Sequence, residues 1–120
     1  MDSLQVLEVW KENICNGTAE QIRDLYDPSA VIFTEEAEDE IQGEVDILRY
    51  LDWYINKDPC LEFTTLEAIN LNDSSIVNGL FTMNNMEGVF YKRCTFVIAK
   101  GKIITEHTSF APQKERVGEG

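Results

Sequence analysis

Histidine is nearly absent from this chain, basic residues are scarce, and no long apolar run occurs. Of 120 residues, 22 are acidic, 10 are lysine or arginine and one is histidine, for a net charge of −12. Binding driven by nucleic-acid phosphates needs basic side chains to replace counterions, so nucleic acid is not an expected partner. Anionic membrane surfaces are disfavoured for the same reason. No run approaches the roughly 20 apolar residues of a membrane span, and Asp2 stands where a signal peptide needs basic residues. The three cysteines, Cys15, Cys60 and Cys94, form no C-x-x-C pair. They signal neither a zinc site nor a disulfide scaffold, and reduced thiols in a cytoplasmic protein are the expectation. With a single histidine, no metal site is expected, and no cofactor.

What is present reads as one globular domain: 43% hydrophobic and 27% charged residues, with three prolines. Asp2 or Ser3 can cap a first helix carrying Leu4, Leu7, Val9, Trp10 and Ile14 at helical spacing, closed by Asn16-Gly17. Thr18 caps a short second helix with Ile22, Leu25 and Tyr26, which Asp27-Pro28 ends. Ala30 to Phe33 reads as a short strand, the acidic run Glu35 to Glu40 as a solvated loop, and Ile41 to Gly43 as a second short strand. Glu44 to Lys57 is a third helix with a broad apolar stripe.

From residue 61 the period changes from helix to strand. Leu61–Leu71, Ser75–Met83, Val89–Ile98 and Lys102–Phe110 form a four-strand meander, and Gln113 to Gly120 is a polar tail. Helices in the first half and strands in the second imply an α+β fold, with three N-terminal helices packed on one face of an antiparallel sheet.

Tyr91 to Pro112, YKRCTFVIAKGKIITEHTSFAP, carries the chemistry. Alternation puts Val89, Tyr91, Arg93, Thr95 and Val97 on one face, and Phe90, Lys92, Cys94, Phe96 and Ile98 on the other. A three-residue loop would place Arg93 opposite His107. A two-residue loop, Lys100-Gly101, would pair Arg93 with Thr108 and His107 with Cys94. With Arg93 and His107 on the concave face, an anionic head on Arg93 and an apolar body among Trp10, Phe33, Tyr50, Tyr54 and Phe81 describe a ligand site, with Tyr91 and Thr95 beside Arg93. His107 is the candidate acid or base, although no catalytic role can be assigned from the sequence. Arg93 pairing with Glu62, Glu67 or Glu106 is the structural alternative.

The element order, together with "LYDPSAVIF", "VDILRYLDWY" and "RCTFVIAKGKIITEHTSFAP", resembles the nuclear transport factor 2-like superfamily. The similarity is to SnoaL-like proteins and to the calcium/calmodulin-dependent kinase II association domain. That resemblance implies a cystatin-like cone spanning residues 1–112, a cavity between helices and curved sheet, and a homodimer through the outer sheet face. It implies a small-molecule-binding domain for a small organic acid or polar-headed apolar molecule, or alternatively a non-catalytic assembly module. Ketosteroid isomerisation requires a tyrosine, a carboxylate base and a protonated aspartic acid; the matching positions here are Trp10, Thr34 and the neighbourhood of Arg93. Limonene epoxide hydrolysis fails likewise, because Arg93-Cys94-Thr95 lacks the required Arg-x-Asp carboxylate.

Overall fold

Asp2 starts the first helix as expected. Its side chain accepts from the Gln5 N–H at 2.9 Å, and the Gln5 side chain accepts in return from the Asp2 N–H, a capping box at the head of α1 (Ser3–Asn16). Thr18 and Gln21 repeat the device for α2 (Ala19–Arg23). The computed structural model describes residues 1–111, so the polar tail expected at 113–120, and Pro112 before it, lie outside the described residues.

The second helix is shorter than its periodicity suggests. Tyr26 belongs to β1 (Tyr26–Thr34), not to α2. The Asp27 carboxylate accepts from both the Ser29 N–H at 2.9 Å and the Ser29 hydroxyl at 2.7 Å, a local turn that competes with helix. Then follow β2 (Ile41–Gln42), α3 (Glu44–Ile55), β3 (Cys60–Asn70), β4 (Ser75–Asn85), β5 (Gly88–Ala99) and β6 (Lys102–Phe110). The sheet order is β2-β1-β6-β5-β4-β3, with β1 parallel to β6 and the remaining pairs antiparallel. The result is an α+β cone: helices against one face of a curved six-stranded sheet that does not close.

Two irregularities shape the sheet. One bulge falls between Phe63 and Thr65 on β3. Beside it, a Cβ at Gly79 would sit 3.0 Å from the Thr65 carbonyl oxygen and 3.2 Å from Cys94 Sγ, so a larger residue would press on the neighbouring strands. The second bulge lies in the β5–β6 hairpin. Lys100 and Gly101 both have positive φ, 53° and 73°, the two-residue I′ turn that matches strand twist. Ala99 pairs with Lys102 and Ile98 with Ile103, but beyond Ile104 the register moves by one: Thr95 faces His107 and Arg93 faces Ser109. Both expected registers are corrected. The two-residue loop is present, and the bulge shifts everything beyond it.

The alternation along β5 holds, but the covered face is the other one. Lys92, Cys94, Phe96 and Ile98 are buried beneath the helices, whereas Arg93 is exposed and Tyr91, Thr95 and Val97 are half-buried on the outer face. The apolar face expected to need a second subunit is thus covered by the chain's own helices. The core there joins Val6, Leu7, Trp10 and Ile14 of α1 to Phe81, Met83 and Phe96 of the sheet.

Candidate functional site

The inner face of the cone contains charge. Glu106, on β6, is 3% exposed, and Lys92, on β5, is also 3% exposed. The Tyr26 hydroxyl donates to Glu106 Oε1 and itself accepts from Trp10 Nε1–H at 3.0 Å. Lys92 pairs with the Glu36 carboxylate, which reaches in from the segment after β1. The Lys92 ammonium also lies 4.9 Å from the Phe110 ring centre and 5.6 Å from that of Tyr54, within cation–π range. The Tyr54 hydroxyl meets Met83 Sδ at 3.4 Å.

These groups perturb one another. Burial pushes the Glu106 carboxyl up to about 7; the Tyr26 hydrogen bond and the Lys92 charge pull it down, and the nearby Glu36 carboxylate opposes them. Burial, then the Glu106 charge, holds the Tyr26 phenol well above its usual range. Tyr50 and Tyr54 are raised for the same first reason. Burial and then Glu106 push the Cys94 thiol up to about 12. A carboxyl poised near neutrality beside protonated phenols can accept or donate a proton, or hydrogen-bond a polar group in either state.

A cleft opens above this network. It has a volume of about 400 Å³ and is lined by Glu36, Glu40, Ile41, Asp46, Arg49, Tyr50 and Trp53. Glu36 and Tyr50 belong to both cleft and network. Deeper in, Trp10 fills the cone, its ring 5.2 Å from Phe96 and 6.3 Å from both Phe63 and Phe81.

The residues singled out in the sequence divide between two faces. Trp10, Tyr54 and Phe81 are buried on the inner side, and Tyr50 is half-buried at the cleft. Phe33, Tyr91, Arg93, Thr95 and His107 lie on the outer face of the sheet. There Phe33 tilts against His107 with ring centres 6.4 Å apart, and the Thr95 hydroxyl bonds Asn78 at 2.8 Å. Arg93 and His107 do share a face, but it is not the concave one. Sequence reasoning missed Glu106, Lys92, Tyr26 and Glu36 as a group. Lys92 carried the legible signal: it is the one charge on the β5 face that also bears Cys94, Phe96 and Ile98. Among the described residues no group of three or more His, Cys, Asp or Glu side chains is placed to hold a metal ion, and no helix is long and apolar enough to cross a membrane.

No protein-family model matches this sequence, and no curated protein does. Solved structures do. A Xanthomonas campestris protein provisionally assigned as a calcium/calmodulin-dependent protein kinase II association domain superposes with a TM-score of 0.81 at 23% identity, over 92% of this chain and 86% of that one. An uncharacterised cystatin-like protein from Caulobacter vibrioides gives 0.81 at 13% identity, over 97% and 92%. A Streptomyces avermitilis protein, provisionally a dehydratase of the nuclear transport factor 2-like family, gives 0.80 at 13% identity, over 90% and 92%. At these identities the likeness establishes architecture: the chain has the cystatin-like, nuclear transport factor 2-like fold.

Proposed function

We propose that this chain is a small-molecule-binding domain whose ligand is a largely apolar molecule with a polar head, held at the mouth of the cone. The observation that supports this reading is the pair of buried charges Glu106 and Lys92, the latter held by Glu36, which lines a cleft of about 400 Å³. Desolvating such charges is costly, and apolar residues of similar size would serve stability as well or better. Tyr50 and Trp53, stacked with ring centres 5.9 Å apart, offer the apolar wall. The rim carries Glu36, Glu40 and Asp46 against Arg49, which favours a neutral head, such as a hydroxyl or carbonyl, over an organic acid.

Thermal shift against neutral hydroxy- and keto-compounds and small carboxylates tests the reading. A compound that raises the Tm of the wild type, but not of Lys92→Met or Glu36→Gln, is the expected result. No stabilisation by any compound, or equal stabilisation in both variants, refutes it.

A different observation favours a second reading, a non-catalytic assembly module. Trp10, 2% exposed, fills the interior of the cone against Phe63, Phe81 and Phe96, and the outer face presents the half-buried Ile76, Leu80 and Val97 beside Arg93. A homodimer through that face would give twice the 13.7 kDa chain mass in light scattering. A mass of one chain at all concentrations removes this reading.

A further inference from the structure

Two of the three cysteines meet at a seam away from the cleft. Cys15 lies in the last turn of α1 and Cys60 opens β3. The Leu61 N–H donates to Cys15 Sγ at 3.3 Å, and that sulfur lies 3.9 Å from the Leu61 carbonyl oxygen. Leu61 N is two bonds from the Cys60 Cα, so this Cα lies within about 6 Å of the Cys15 sulfur. The Cys15 sulfur thus rests against the peptide unit that Cys60 begins, and closure requires side-chain rotation that brings the two sulfurs to bonding distance. The thiols already interact: burial raises the Cys15 pKa and the neighbouring Cys60 adds to the rise, while the Leu61 N–H and Lys11 act in the opposite direction. Cys60 is exposed, Cys15 is intermediate and Cys94 is buried.

We propose that Cys15 and Cys60 are a redox-responsive dithiol that closes to an intramolecular disulfide when a peroxide reaches Cys60. The Cys60 thiolate attacks one peroxide oxygen, and the O–O bond breaks. The leaving oxyanion takes a proton as alcohol or water, so Cys60 is oxidised to the sulfenic acid as the peroxide is reduced. Cys15, losing its proton to solvent with the Leu61 N–H and the Lys11 charge partly offsetting burial, then attacks the Cys60 sulfur. The S–S bond forms, the S–O bond breaks, and hydroxide leaves as water after protonation. A thiol reductant reverses the closure by exchange. The bond pins the end of α1 to the start of β3, on the helix that carries Trp10 to Tyr26.

Equimolar hydrogen peroxide, followed by intact mass and thiol counting under denaturant, tests this. The expected product has lost two hydrogens, has fallen from three free thiols to one, and yields a Cys15–Cys60 cross-linked peptide from monomeric protein. Its Tm rises by several degrees and returns on reduction. Cys15→Ser should instead gain oxygen atoms at Cys60, and Cys60→Ser should keep both remaining thiols. Oxygen addition without a cross-link in the wild type, a disulfide only between chains, or a cross-link involving Cys94 each overturns the proposal.

Discussion

Glu106→Gln is the sharpest probe of the buried network, because it removes one titration and keeps the shape. The carboxyl stands at about 7 in the folded chain against an ordinary value of 4.5. A pKa raised by folding means the native state holds its proton over a range where the unfolded chain has released it. The associated stability is fully present below about 4.5, declines as pH rises, and is gone above about 7. The shift corresponds to about 3 kcal/mol in all, most of which falls between pH 5 and pH 8. The other acidic residues also titrate, so the quantity to measure is the wild-type change minus the variant change, by urea unfolding at both pH values. The glutamine variant should lose that part of the slope, equivalent to a difference of about 1–2 M in urea midpoint. Equal pH dependence in the two proteins would refute the buried, proton-holding carboxyl and the polar site built on it.

Four further outcomes follow from the same contacts. Lys92→Met removes a charge that lowers the Glu106 pKa, so the stability decline should move to higher pH in the same urea series. Trp10→Phe loses the Nε1–H bond to the Tyr26 hydroxyl and part of a filled core, and should cost about 2–3 kcal/mol in denaturant unfolding. Gly101→Ala forces a side chain to φ 73° and should cost about 1 kcal/mol, seen as a lowered Tm. His107→Ala, on the exposed outer face, should change stability by no more than about 0.5 kcal/mol in urea unfolding.

The order of elements was readable because its signals are local. Asp2 and Thr18 cap helices with their own neighbours, Gly101 permits its turn by lacking a Cβ, and the change from helical to alternating period is a property of short windows. The site was less readable because its members are distant in the chain. Tyr26 meets Glu106 across 80 residues and Lys92 meets Glu36 across 56. Tyr26 completes an apolar stripe at helical spacing, yet the helix stops at Arg23 with Asp24 as its C-cap, and Tyr26 opens β1 instead. Arg93 drew attention as a charge in a strand, although Lys92, one residue earlier, is the charge whose strand neighbours on the same face are all apolar.

The bulge at Ile104 explains why His107 and Glu106 exchange the roles expected of them. Ile103 and Glu106 are both buried, yet they stand three apart. A regular strand turns such a pair to opposite faces. Without the extra residue, the buried Ile103 would bring Thr105 and His107 inward with it and send Glu106 to solvent. The register step in β6 between the partners of Val97 and Ile98 reverses this, carrying Glu106 under the helices to Tyr26 and turning His107 out beside Phe33. Bulges recur beside functional sites because one added residue re-aims the side chains beyond it. Here that residue sets which titratable group the cone encloses: a carboxyl near neutrality in contact with a phenol, not an imidazole.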